Sequence, residues 1–207
     1  IVVTAISSSY DLARAIAVQR DGKIIVAGYT TPINFFVNPQ FALTRYNTDG
    51  SLDNSFDGDG ILTPTVSIFS RASAVAIQQD GKIVVAGASR IGNNDPYDFA
   101  IARFNADGAL DNTFDGDGKV ATAIGSFDDY ATSLAIQQVG KLVLAGYSND
   151  GGNNHFALVR YSPDGSLDNS FDGDGKLTTA FPFLSQANSV TIQADGKIVV
   201  GGYTYKG

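Results

Sequence analysis

One string, met four times, governs what this chain can fold into. Asp21-Gly22-Lys23-Ile24-Ile25-Val26-Ala27-Gly28-Tyr29 returns from Asp80, from Val139 and from Asp195 with conservative changes, at spacings of 59, 59 and 56 residues. A second string, Phe41-Ala42-Leu43-Thr44-Arg45-Tyr46, returns from Phe99 and Phe156. A third, Leu52-Asp53-Asn54-Ser55-Phe56-Asp57-Gly58-Asp59-Gly60, returns from Leu110 and Leu167. A chain built this way is an array of one supersecondary unit, and each unit buries its apolar faces by stacking on the next.

Each unit reads as four short strands. Strand a covers 15–19, 74–78, 133–137 and 189–193, and strand b follows the Asp-Gly-Lys turn. Strand c is the Phe-Ala-x-x-Arg segment. Strand d follows Asp-Gly-Asp-Gly, over 61–65, 119–123 and 176–180. Asp-Gly is a tight-turn signal, because glycine takes positive φ without steric cost and aspartate bonds its own backbone. Strands a and b are apolar at nearly every position, which predicts burial on both faces. Four-stranded antiparallel sheets stacked face to face meet that demand, so the expected fold is an all-β β-propeller, with blades of about 57–59 residues. A sandwich would leave one face of each sheet wet, and a β-helix has a far shorter period.

In order, these blocks resemble the delta-60 repeat family of bacterial β-propellers, and the likeness covers essentially the whole chain. That resemblance implies a tandem-repeat protein, bacterial, secreted or at the cell surface. It implies no established catalytic residue.

Ile1–Ala5 aligns with Lys119–Ala123, so the chain is expected to open on a strand d and to close after a strand b. The expected division is a strand at 1–5, repeats at 6–65, 66–123 and 124–180, and a partial repeat at 181–207, all in one propeller domain or propeller fragment. Two readings follow. Either Ile1–Ala5 joins the last blade and ties a four-bladed ring shut, or further repeats or a second copy complete a larger ring. The second is the preferred expectation, since open edge strands otherwise invite aggregation. The chain lacks an initiator Met and a signal peptide, and reads as a processed product or a piece of a longer protein.

Composition excludes whole classes. There is no Cys, so no disulfide framework and no thiolate site, and a single His, His155, removes sites needing two imidazoles. The net charge is −7, which argues against a nucleic-acid partner. No apolar run suits a membrane-spanning helix. All 21 acids are Asp, and 13 of them directly precede Gly, so the charge reads mainly as turn chemistry copied with the repeat.

The turns a–b and c–d fall at one edge of each sheet and are repetitive. The b–c and d–a loops fall at the other edge and vary, and such loops on a rigid scaffold are where binding usually resides. The candidate ligand-binding residues are therefore Phe35, Phe36, Tyr97, Phe127, Tyr130, His155 and Phe183, facing a protein or glycan. Each aromatic, taken singly, also reads as a plug between blades. His155, alone beside Asn153 and Asn154, reads first as a surface residue. The pairs Asp57 and Asp59, Asp115 and Asp117, and Asp172 and Asp174 are candidate calcium ligands, since carboxylates two apart can converge on a hard cation. Their competing role is to bond turn amides. Otherwise no cofactor is expected. Arg45, Arg103 and Arg160 each precede an Asp by eight residues, at Asp53, Asp111 and Asp168, which predicts a repeated ion-pair clamp. Lys23, Lys82, Lys141 and Lys197 read as solvated residues. The functional expectation is a non-catalytic extracellular module. Its alternative is a carbohydrate-binding lectin or carbohydrate-active propeller enzyme using the variable aromatic loop face; a catalytic site at the ring centre would have to be built from Asp98, Asp128, Asp129 and His155.

Overall fold

A computed structural model describes residues 1–8, 10–31 and 38–206. Three four-stranded antiparallel meanders and a two-stranded hairpin follow one another along the chain. The first sheet holds β1 (Tyr10–Val18), β2 (Ile24–Thr31), β3 (Gln40–Tyr46) and β4 (Ile61–Leu62). The second holds β5 (Phe69–Ile77), β6 (Ile83–Arg90), β7 (Asp98–Phe104) and β8 (Lys119–Thr122). The third holds β9 (Asp129–Ile136), β10 (Leu142–Asn149), β11 (Asn154–Tyr161) and β12 (Lys176–Thr179). β13 (Leu184–Ile192) pairs with β14 (Ile198–Tyr205) in the fourth. These are the blades of a β-propeller, as the repeat predicts. Among the described residues no helix is long and apolar enough to cross a membrane.

Three apolar layers join the sheets. Ile25, Leu43 and Phe56 pack on Ile83, Val85 and Phe104 between the first and second sheets. Val84, Ile101 and Phe114 pack on Leu142, Leu144 and Tyr161 between the second and third. Val143 and Leu158 pack on Ala187 and Val190 between the third and fourth. β6 and β10 are buried along nearly their whole length, which explains why their strings do not alternate. Strand a departs from the expectation of burial on both faces: β1, β5, β9 and β13 alternate or lie half-exposed. They also begin earlier than the repeat suggests, so Tyr10, Phe69 and Tyr130 stand on strands and not in loops.

The invariant glycine of strand b has a geometric cause. Each strand a slips register by one residue opposite it, at Ala13/Ala15, Ala72/Ala74, Ala131/Ser133 and Ala187/Ser189. Such a bulge pushes a carbonyl towards its partner strand. A Cβ on Gly28, Gly87, Gly146 or Gly202 would lie 1.8–2.0 Å from the carbonyl oxygen of Leu12, Arg71, Tyr130 or Gln186.

Ile1–Ala5 forms no strand, and the fourth sheet has only β13 and β14 among the described residues. The alternative reading, in which this segment ties a four-bladed ring shut, thus has no strand pairing behind it among the described residues. The segment lies instead on the flank of the first sheet, where the Tyr46 hydroxyl donates to Thr4 Oγ1 at 2.7 Å. Tyr161 makes the same bond, at 2.7 Å, to Thr122 on strand d of the preceding blade. Ile1–Ala5 thus occupies the place of a preceding strand d, as its alignment implies, without the pairing that would make it one.

The predicted clamps are present, and each blade adds a second cation. Nε of Arg45, Arg103 and Arg160 lies 2.6 Å from Oδ2 of Asp53, Asp111 and Asp168. Lys23, Lys82 and Lys141 reach the same oxygens at 2.8, 2.8 and 2.7 Å, so these three lysines are staples and not merely solvated. Only Lys197 keeps to its own turn, on Asp195. Each arginine also lies over the phenylalanine of its own turn, Phe56, Phe114 or Phe171. Two of them reach the next blade, where Arg45 Nη1 donates to the Ala106 carbonyl and Arg103 Nη1 to that of Pro163. The amides of Asp57 and Asp115 add bonds to the carbonyls of Asp107 and Asp164 at 2.9 and 2.7 Å.

A tyrosine and arginine cleft on the variable face

Sites need side chains that the repeat does not dictate. A concavity of about 910 Å³ opens between the second and third sheets at the edge that carries the b–c and d–a loops. That volume lies within the range of small-ligand sites. Its walls come from strand ends as much as from loops: Arg71 on β5, Arg90 on β6, Tyr130 on β9 and Tyr147 on β10. Asn94 to Pro96 and Ser126 to Asp128 supply the rim. A second concavity of about 510 Å³ runs along the inner strands and shares Arg71, Tyr130 and Tyr147 with the first.

The aromatic side chains form a stack. Ring centroids of Tyr97 and Tyr130 lie 5.1 Å apart, and those of Tyr130 and Tyr147 lie 5.3 Å apart. The stack exists because the second blade breaks the repeat. After the strand-b glycine stand Tyr29, Ala88, Tyr147 and Tyr203 in turn. Over the small Ala88, Tyr97 packs from the b–c loop, together with Phe69. Asp128 fixes that loop by accepting the Tyr97 amide at 2.9 Å. Burial, and then the Asp128 charge, push the Tyr130 and Tyr147 hydroxyls above their ordinary range, so both stay protonated donors.

The predicted site residues divide. Tyr97, Tyr130 and Phe127 come together at this cleft, with Phe127 exposed at its rim and Tyr97 buried beneath it. Tyr97 is thus a supporting residue more than a contact surface. Phe183 lies elsewhere, 5.6 Å beneath the Lys206 ammonium. His155 pairs with Asp150 at 2.8 Å across its own hairpin and does not enter the cleft. The Asn153 amide, then His155 and the Gly152 amide, hold the Asp150 carboxyl well below its usual range. Phe35 and Phe36 lie outside the described residues. Sequence reasoning passed over Arg71, Arg90 and Tyr147. The available signal was that Arg71 stands where the other blades have Leu12, Tyr130 and Gln186.

Of the four residues expected for a catalytic centre, Asp98, Asp128 and Asp129 lie close enough to feel one another's charge, whereas His155 is paired with Asp150. Asp128 lines the cleft, whereas Asp98 lines a separate hollow with Ser89 and Lys119. Burial, with the charges of Asp129, Asp128 and Asp95, raises the Asp98 carboxyl. Asp129 is fully buried, and its Oδ2 accepts the Ile124 and Gly125 amides at 2.7 and 3.1 Å, which fastens the d–a loop. The Asp-Gly-Asp-Gly turns show their backbone role directly. Oδ1 of Asp59, Asp117 and Asp174 accepts the amide two residues on, at 2.8, 3.1 and 2.9 Å. Asp57, Asp115 and Asp172 hold left-handed φ of 52°, 51° and 50°. Among the described residues no three acidic or imidazole groups converge to hold a metal ion.

Comparison with known proteins agrees with this architecture. A family model described as "Domain of unknown function (DUF5122) beta-propeller" matches residues 19–56, 78–114, 140–171 and 193–207. No curated protein matches. Among solved structures the chain is similar to a protein of unknown function from Dyadobacter fermentans DSM 18053, with 14% identity and a TM-score of 0.51. That match covers 91% of this chain and 55% of the other. A weaker match, at 11% identity and a TM-score of 0.43, is to a protein provisionally assigned as a gluconolactonase, and covers 94% of this chain and 60% of that one. The chain therefore spans little more than half the length of the structures it resembles. Its repeats are matched over more than half of their residues, and the structure folds them as stacked four-stranded blades, so the chain belongs to the DUF5122 β-propeller family.

Proposed function

We propose that this chain is a non-catalytic, ligand-binding module of a bacterial secreted or cell-surface protein, of the delta-60 type, taking a protein or glycan partner in the tyrosine and arginine cleft. The observation that carries this reading is the stack of Tyr130 and Tyr147, on strand ends, with Tyr97 of the b–c loop, beside a concavity of about 910 Å³. Aromatic rings give large contact area at low entropic cost, and strands hold them more precisely than loops would. The opposite face is made of copied Asp-Gly turns, with Val139 in place of the Asp in one blade, and shows no comparable aromatic stack among the described residues. The test is a glycan and protein array probed with the full chain. A reproducible hit lost in Tyr130→Ala and Tyr147→Ala, and retained in Gln137→Ala at the opposite turns, supports the reading. An array without hits, or hits indifferent to both tyrosines, overturns it.

A further inference from the structure

The chain has seven arginines, and three of them are fixed in the blade staples. Arg71 and Arg90 are different. Among the described residues neither makes an ion pair, although the chain holds 21 aspartates, and the stretches not described contain no Asp or Glu. The Nε of each is buried without a hydrogen-bond partner. Their guanidinium groups are held by aromatic rings instead. Arg71 stands 5.6 Å from the Tyr29 centroid and 5.5 Å from that of Tyr97. Arg90 stands 4.4 Å from Phe69 and 4.7 Å from Tyr97. Arg90 Nη1 also donates to the Asn93 carbonyl at 2.7 Å. Two stacked cations therefore share the Tyr97 ring on the wall of the cleft, oriented and short of an anion.

We propose that the cleft binds an acidic sugar, with a ring carboxylate held by Arg71 and Arg90 and the C–H face of a pyranose laid on Tyr130 and Tyr147. This rests on the ligand-binding reading above and specifies its ligand. A partly buried guanidinium lacking a carboxylate is unfavourable until an anion arrives, and its pre-set plane favours a bidentate one. The rim carboxylates of Asp95 and Asp128 also matter. They accept sugar hydroxyls and repel a ligand with dense negative charge, so a hydroxyl-rich body with one carboxylate per ring suits the site. A glutamate side chain offers the carboxylate without a flat face for the tyrosines, which disfavours an acidic peptide.

The test measures affinities of the full chain for trigalacturonate, trimannuronate and a hyaluronan hexasaccharide, each beside its carboxyl-reduced neutral counterpart and beside triglutamate. An acidic sugar should bind about tenfold tighter than its neutral form. Added salt should weaken only the acidic one. Arg71→Gln and Arg90→Gln should each abolish the preference, while Gln137→Ala at the opposite turns should leave both affinities unchanged. Arg71→Lys, which keeps the charge but not the bidentate geometry, should reduce it in part and serves if a Gln variant unfolds. Equal affinity for acidic and neutral forms overturns the anion assignment and leaves the binding module standing. Triglutamate binding as tightly replaces the sugar with a peptide. No binding to any probe, together with an array without hits, overturns both.

Discussion

Removing the staple carboxylate of the second blade, Asp111→Ala, should be among the most damaging single changes outside the apolar layers. Asp111 and Arg103 are 3% and 5% exposed. The carboxylate accepts Arg103 Nε at 2.6 Å and Thr113 Oγ1 at 2.7 Å, and lies 2.8 Å from Lys82 Nζ. Deleting one partner of a buried pair costs about 3–5 kcal/mol, because the other charge stays buried. Arg103 would keep its bonds to the Pro163 carbonyl and Thr113 Oγ1, and Lys82 is partly wet, which places this case near the lower end, about 3 kcal/mol. In a domain of this size each kcal/mol moves Tm by about 2–4 °C, so a fall of about 6–12 °C is expected by circular dichroism. The paired change Arg103→Met with Asp111→Leu should recover most of the loss, since apolar replacements of both partners are often neutral. In the third blade Arg160 makes no described bond to a following blade, and Asp168→Ala should cost less. A fall under about 2 °C for Asp111→Ala, or a double variant worse than both singles, would refute the staple as an energetic anchor.

Acid should weaken the same three staples. Lys23 and Lys141 are the first causes that hold the Asp53 and Asp168 carboxyls below their ordinary range. At Asp111 burial acts upward but is outweighed by Lys82, Thr113 and Arg103. Carboxyls lowered on folding contribute stability above the unfolded pKa and lose it as pH falls through the folded one, so Tm should drop from about pH 4 downward, less steeply in Asp111→Asn. Gly87→Ala places a methyl 2.0 Å from the Arg71 carbonyl oxygen and should destabilise by about 3 kcal/mol, read by thermal melting, whereas Gly58→Ala meets no atom and costs only its positive φ. Asp115 holds φ of 51°, so Asp115→Gly should be neutral or stabilising and Asp115→Val should cost about 1–2 kcal/mol, read by the same melts. Calcium should leave Tm nearly unchanged, because one oxygen each of Asp59, Asp117 and Asp174 is already bonded to a turn amide; a rise of several degrees would place an ion there.

The fold was legible because its causes lie within the copied strings. Asp-Gly pairs mark turns, the eight-residue interval from Arg45 to Asp53 spans one c–d turn, and unbroken apolar runs mark strands covered on both sides. Two features were not legible. Lys23 looks like any residue after a turn until strands b and c pair and bring it to Asp53. The bulges opposite Gly28 and its equivalents leave no signature in strand a, so its sequence places its start four or five residues too late and makes its burial too complete.

The cleft was only half legible for a related reason. Repetition identifies what every blade needs, and a binding site is what one blade does differently. Asp53, Arg45 and Gly28 recur because each blade must dock on the next. Arg71, Ala88, Arg90 and Tyr97 do not recur, and all four belong to the second blade, where the small Ala88 admits Tyr97 and Tyr97 carries both arginines. Searching for the aromatic content of loops found Tyr97 and Tyr130 but also Phe183 and His155, which serve their own hairpins. Aligning the four units and asking where one position changes in size or charge would have pointed at Arg71 and Ala88 directly. In a chain whose copied residues are occupied with stacking, the proposed specificity rests where the copy fails, at Arg71, Ala88, Arg90 and Tyr97 of the second blade beside Tyr130 of the third, around one cleft.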